Sequence, residues 1–127
     1  HIDVEDHIPK GYKLQFQKIS KDAENGTDTR HLYYKNKTGD YLCCIIGVAE
    51  EPYMMKLGNP KKAISPLRKI FKKLPDIFDL IDLKKNIPAG VPDDPYSLIS
   101  LVDVMVEVKK VKRKTRSLTK AVYEKLN

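Results

Sequence analysis

Apolar residues recur with two different periods along this chain, and the change between them falls near its middle. Through Gly11 to Lys18, Tyr12, Leu14 and Phe16 alternate with polar neighbours, the two-residue period of a half-buried strand. Residues 21–29 read as a polar loop. Residues 30–36 and 40–48 read as two further strands around Asn36-Lys37-Thr38-Gly39, where glycine supplies the positive φ of a tight hairpin. The run Tyr41-Leu42-Cys43-Cys44-Ile45-Ile46-Gly47-Val48 is apolar on both faces, which predicts the central buried strand. Residues 53–57 add a short strand before the Gly58-Asn59-Pro60 break. Tyr33 and Tyr34 face the strand of Tyr41, so a cross-strand aromatic cluster is expected. Residues 1–10 read as a flexible N-terminal arm.

From residue 61 the period lengthens. Ser65-Pro66 has the chemistry of a helix N-cap followed by proline in the first helical position. Leu67, Ile70, Phe71 and Leu74 follow at helical spacing, and Ile77, Phe78, Leu80 and Ile81 continue it past Pro75, which should kink or divide the helix. Ile87 to Pro92 is a connector, and Asp94-Pro95 starts a second helix. The last segment has two readings. Val102, Val104, Val106 and Val108 alternate as in a strand. Leu98, Leu101, Met105, Val108, Val111, Thr115, Leu118, Val122 and Leu126 recur at a mean spacing of about 3.5 residues, and no glycine or proline follows Pro95. The longer pattern favours a helix over 95–126, broken near Ser117. The expected fold is α+β in a single domain: a small antiparallel sheet of three or four strands in residues 11–57, packed against C-terminal helices over 65–84 and 95–126.

Composition fits a globular domain, with 41% apolar and 32% charged residues among 127. No apolar run approaches the length of a membrane span. The chain begins His1-Ile2-Asp3-Val4-Glu5-Asp6 without an initiator Met, which suggests an excised domain or a processed mature form. Net charge is +7, and it is unevenly spread. Residues 1–60 hold eight Lys/Arg and nine Asp/Glu, whereas residues 61–127 hold sixteen and eight. The excess concentrates in Lys109, Lys110, Lys112, Arg113, Lys114, Arg116 and Lys120, with no carboxylate between Val108 and Tyr123. Such a block repels itself unless salt or an anionic partner screens it. On a helix, Lys109, Lys112, Arg113, Arg116 and Lys120 would fall within a sector of roughly 100°, forming a ridge beside the apolar stripe. Only Arg113 and Arg116 are arginines, so general phosphate contact is expected over base reading.

A second basic patch comprises Lys61, Lys62, Arg68, Lys69, Lys72 and Lys73, opposite Leu67, Ile70, Phe71 and Leu74. That pairing describes a core-facing helix with solvated lysines, the more usual arrangement, or a helix lying on an anionic membrane surface. An exposed Phe71 would favour the membrane. Lys109-Lys110-Val111-Lys112 has the shape of a nuclear localisation signal, while Asn25 and Asn36 open Asn-x-Thr sequons that would point to export and glycosylation. Because Asn, Gly and Thr are also turn residues, an intracellular location, nuclear or cytoplasmic, is slightly favoured. In a strand, adjacent Cys43 and Cys44 would point one inward and one outward, neither placed to bond the other. His1, Asp3, Asp6 and His7 cluster near the start, and Asp76, Asp79 and Asp82 would share a helix face, but neither set has a recognised metal-ligand spacing. No nucleophile is paired with a base, and no glycine-rich phosphate loop occurs. The expectation is a non-enzymatic basic module without metal or cofactor that binds nucleic acid or another polyanion. The alternatives are a protein-interaction or assembly domain, viral or part of a larger protein, pairing through an apolar helix face or a strand edge, and an exported glycoprotein. Burial of Val104, Val106 or Val108 in a homodimer would mark the first alternative.

Overall fold

The computed structural model describes residues 4–21, 28–47, 51–114 and 121–126, with the side chains of Ser20 and Lys21 left aside. The chain forms an α+β fold whose contacts group into two compact units, one ending at Gly58 and the other beginning at Asn59.

The first unit is a four-stranded antiparallel meander, β1 (Lys13–Lys21), β2 (Asp28–Lys35), β3 (Tyr41–Ile46) and β4 (Tyr53–Gly58), in sequential order. The two-sided apolar run becomes β3, an interior strand buried on both faces as its composition requires. The β2–β3 turn follows from Asn36: its Oδ1 accepts from the N–H groups of Thr38 and Asp40 and from the Thr38 hydroxyl, and Gly39 takes a φ of 89°. Gly47 closes β3 at φ 103°, where a Cβ would lie 2.7 Å from the Asp28 carbonyl oxygen, so the position admits only glycine without rearrangement.

The structure changes several expectations here. A bulge at Gln15 breaks the alternation of β1, so Leu14 is half exposed while Phe16 stacks on Tyr33 with ring centroids 4.4 Å apart. The expected tyrosine cluster divides between faces: Tyr33 lies opposite Cys43, Tyr34 opposite Leu42, and Tyr41 opposite Lys35. Cys43 and Cys44 do point to opposite faces, yet both faces are covered and both thiols are buried. Burial also pushes the Cys44 thiol up, away from the reactive thiolate. Residues 1–10, expected as an arm, include a packed segment. Val4–His7 is a 3-10 turn, and Val4 and Ile8 pack on Leu32, Tyr34, Leu42 and Cys44.

The Tyr34 hydroxyl donates to Glu5 Oε1 at 3.4 Å, and its pKa is pushed up to about 12 by burial first and by the Glu5 charge second. The folded protein thus holds the phenol neutral over a pH range in which the unfolded chain, with a value near 10.0, ionises. This contribution is intact below about pH 10 and is lost as pH rises towards 12, a decline on the order of 2 kcal/mol. Tyr34→Phe should flatten that part of the stability–pH curve in urea titrations. An equal decline in both proteins would rule the assignment out.

The second unit comprises α1 (Pro66–Lys73), β5 (Ile77–Asp79), α2 (Leu80–Lys85), α3 (Pro95–Glu107), β6 (Val111–Arg113) and β7 (Val122–Lys125). Both predicted N-caps form: Ser65 Oγ accepts from Arg68 N–H, and Asp94 accepts from the N–H groups of Tyr96 and Ser97. Helix α3 buries Leu98, Leu101, Val102, Val104 and Met105 and contacts α2 and β6. Val104 is thus a core residue of this unit, with Val106 and Val108 half-buried. Two helical expectations are corrected. After Pro75 the chain becomes strand β5, because Phe78 stacks on Tyr123 and Ile77 to Asp79 pair with β7. The helix expected over 95–126 stops at Glu107, and its continuation forms β6 and β7 in a sheet of order β5-β7-β6. Among the described residues, no helix is long and apolar enough to cross a membrane.

Candidate polyanion interface

The basic block starts where α3 stops. Lys109 takes φ 61°; its N–H reaches the Val106 carbonyl and that of Lys110 reaches the Met105 carbonyl, each at 3.0 Å. These are the two bonds of a Schellman cap, in which glycine normally occupies the left-handed position. Lysine there costs about 1 kcal/mol relative to glycine. The chain then reverses into β6, fixed by the pairing Val111↔Lys125, Lys112↔Glu124 and Arg113↔Tyr123. The expected helical ridge is therefore replaced by an alternating strand. Lys112 lies on one face and Arg113 on the other, with both side chains exposed, while Val111 is buried. Arg116 and Lys120 lie outside the described residues.

The carboxylate missing from the block's sequence returns through space. Glu124, brought opposite Lys112 by the ladder, approaches Lys112 Nζ at 3.3 Å and Lys114 Nζ at 3.5 Å. The hydrogen bond from Lys112 is the leading reason its carboxyl is held below the usual glutamate range, and the charges of both lysines add to it. One acid thus serves two lysines. Lys109 and Arg113 are also exposed, Arg113 on the opposite face of β6 from that pair.

The second patch divides in the same way. Lys61, Lys62, Lys69, Lys72 and Lys73 are exposed, whereas Arg68 is half-buried. Leu67, Ile70 and Leu74 are buried, which leaves α1 an ordinary core-facing stripe. Phe71 is half-buried, and Lys125 Nζ lies 4.8 Å from its ring centroid, a cation–π contact. Phe71, Arg68 and Lys110 line a shared depression with Leu67 and Met105. The two basic patches therefore meet in space although some forty residues separate them in sequence. The depression encloses about 10 Å³, far below the roughly 300 Å³ of a small-molecule pocket, so its rim rather than its interior offers contacts.

Several acids of this unit are engaged by hydrogen bonds, while Asp76, Asp93 and Glu107 are exposed among the lysines. Asp79 and Asp82 form a reciprocal capping box at the start of α2, each carboxylate accepting the other residue's N–H. This replaces the expected row of aspartates along one helix face. Burial raises the Asp94 carboxyl, but hydrogen bonds from Ser97 and Tyr96 outweigh it and leave the pKa lowered. Asp103 is buried. Among the described residues, no group of three His, Cys, Asp or Glu side chains could hold a metal ion. Of the possible glycosylation sites, Asn25 lies outside the described residues, and the Asn36 amide nitrogen donates to Asp40 Oδ2 at 3.3 Å within the turn.

Sequence reasoning missed Glu124 and Lys125 as members of this surface. Both stand beyond the block in sequence, and only the antiparallel return of β7 sets them beside it. The valine alternation over 102–108 gave no such signal, because those residues form α3 and its cap. No protein-family model, no curated protein and no solved structure matches the chain.

Proposed function

We propose that this chain is a non-enzymatic binding module that engages nucleic acid, as a polyanion, through the basic surface of its second unit. Lys109, Lys110, Lys112, Arg113 and Lys114 make the phosphate contacts, and Arg68 with Lys69, Lys72 and Lys73 extends them along α1. The observation that carries this reading is the division of charges in that unit. Asp79, Asp82 and Asp94 accept from backbone N–H groups and Glu124 is held by Lys112 and Lys114, while Lys69, Lys72 and Lys73 of α1 and Lys109 and Arg113 are exposed. A surface of that kind attracts phosphate through counterion release, with affinity that falls steeply as salt rises. Flexible lysines outnumber arginines on it, so contact with many sequences is favoured over recognition of one.

Glu124 gives the test. It competes with phosphate for Lys112 and Lys114, and exposed ion pairs of this type add little to stability, so Glu124→Gln should leave the fold intact. If the released lysines neutralise one more phosphate, the salt slope steepens by about 0.9 and the affinity at 0.1 M salt rises about eightfold. Fluorescence anisotropy with a labelled duplex measures both. An unchanged affinity would remove Lys112 and Lys114 from the interface.

A further inference from the structure

A different cleft, confined to the first unit, has the chemistry of a small-anion site. It lies where β1 begins, beside the β2–β3 turn, and is lined by Gly11, Lys13, Gln15, Lys35, Asn36 and Lys37. Three of its six lining residues are lysines, and none is a carboxylate. The nearby acid Asp40 is engaged within the turn, accepting from Asn36 Nδ2 and from the Thr38 hydroxyl at 2.6 Å. Lys13 and Lys35 are direct cross-strand partners in the β1–β2 ladder. Like charges in that position repel. The Lys35 ammonium lies 5.6 Å from the Tyr41 ring centroid, and an anion between the two lysines would relieve the repulsion that this contact does not offset.

Two further details shape the cleft. The β1 bulge falls at Gln15, which leaves that residue out of the ladder and on the cleft wall, its amide nitrogen donating to the Lys13 carbonyl at 3.1 Å. Gly11, at φ 91°, has no atom within 4 Å of the place a Cβ would occupy, so the floor stays open. The cavity volume is about 230 Å³. That is less than the roughly 300–1,000 Å³ of pockets for organic ligands, and it admits a hydrated oxyanion.

We propose that this cleft binds a tetrahedral oxyanion, phosphate or sulfate, through Lys13, Lys35 and Lys37, with the Gln15 amide as a neutral donor. Every residue in the site belongs to the first unit. The test is a two-dimensional amide NMR titration of the full chain with inorganic phosphate at low ionic strength, set against sodium chloride at matched ionic strength. Phosphate should produce saturable shifts at residues 11–15 and 35–37 that chloride does not reproduce. Lys37→Gln should weaken binding about fivefold, the scale of one solvent-exposed charge contact, while Lys56→Gln on β4 should leave it unchanged. In phosphate-free buffer, Lys13→Gln should melt no lower than wild type, since it removes the repulsion facing Lys35. A parallel titration with a 5′-mononucleotide distinguishes the source. Saturation at the same residues by both ligands identifies a phosphate group on a larger molecule, and saturation by phosphate alone identifies the free ion; each supports the site. Equal shifts in chloride and phosphate, or unchanged phosphate affinity in both Lys13→Gln and Lys37→Gln, would overturn the proposal.

Discussion

Phe78→Ala is expected to remove about 3–5 kcal/mol of stability, as large aromatic truncations in cores do. Phe78 is 1% exposed, and its ring lies 5.6 Å from that of Tyr123 in the facing register position. The sheet it supports is small, with strands of three, four and three residues in β5, β7 and β6. Backbone pairing over so few residues is marginal in water without an apolar face to bury. Phe78, Val111 and Tyr123 supply that face, and removal of the largest apolar ring leaves a cavity beside a ladder that has little else to hold it. A loss of this size is a large share of the 5–15 kcal/mol typical of a domain. The effect should also reach the basic surface. Detachment of β7 carries Glu124 and Lys125 away from Lys112 and Phe71, so amide exchange at residues 111–113 and 122–125 should accelerate together. Urea unfolding measures the first effect and hydrogen exchange the second. A loss below about 1 kcal/mol would mean that the small sheet does not close over Phe78.

Paired charge reversal, Lys109→Glu with Arg113→Glu, is expected to have the largest effect on binding. Both side chains are exposed, and Glu124 is held by Lys112 and Lys114, so the double variant leaves those two ion pairs in place. Without these two phosphate-neutralising cations, the plot of log affinity against log salt should flatten by about 1.8, which amounts to about 60-fold at 0.1 M salt. Repulsion from the two new carboxylates adds to that figure. The loss should be the same on unrelated sequences, because phosphate contacts position a protein without reading bases. Far-UV circular dichroism and melting of the variant check that the fold persists. A loss confined to one sequence would indicate base reading, and no loss would exclude β6 from the interface.

Local signals in the sequence were reliable where the chain's own chemistry decides the structure. Ser65-Pro66 and Asp94-Pro95 start helices because a side-chain oxygen and a proline act within one turn. Asn36 and Gly39 make their hairpin for the same reason, and the two-sided apolar run of β3 announced its interior place. The misreadings share a different physical cause. Helix α3 ends at a lysine in a left-handed conformation, a stop that composition does not mark because glycine is its usual sign. Phe78 keeps helical spacing with Leu74 and Ile81, but its partner is Tyr123, 45 residues along the chain. Strand pairing over that separation overrides local periodicity and cannot be read from it. Because the candidate surface rests on that pairing, its residues were legible as a charge block while their arrangement was not. Glu124 is the clearest case, a neutralising partner that only β7 brings into reach.

The most direct test of the central claim is the salt dependence of nucleic-acid binding by the wild-type chain. Affinities for two unrelated DNA duplexes and one RNA are measured by anisotropy across a range of salt from roughly 50 to 300 mM, where phosphate contacts weaken most visibly. The nine cations of the proposed surface, less the one charge that Glu124 neutralises, predict a slope of log affinity against log salt of about −7, shared by the two DNAs within error. Binding that does not weaken as salt rises, or no binding at the lowest salt, would contradict the account.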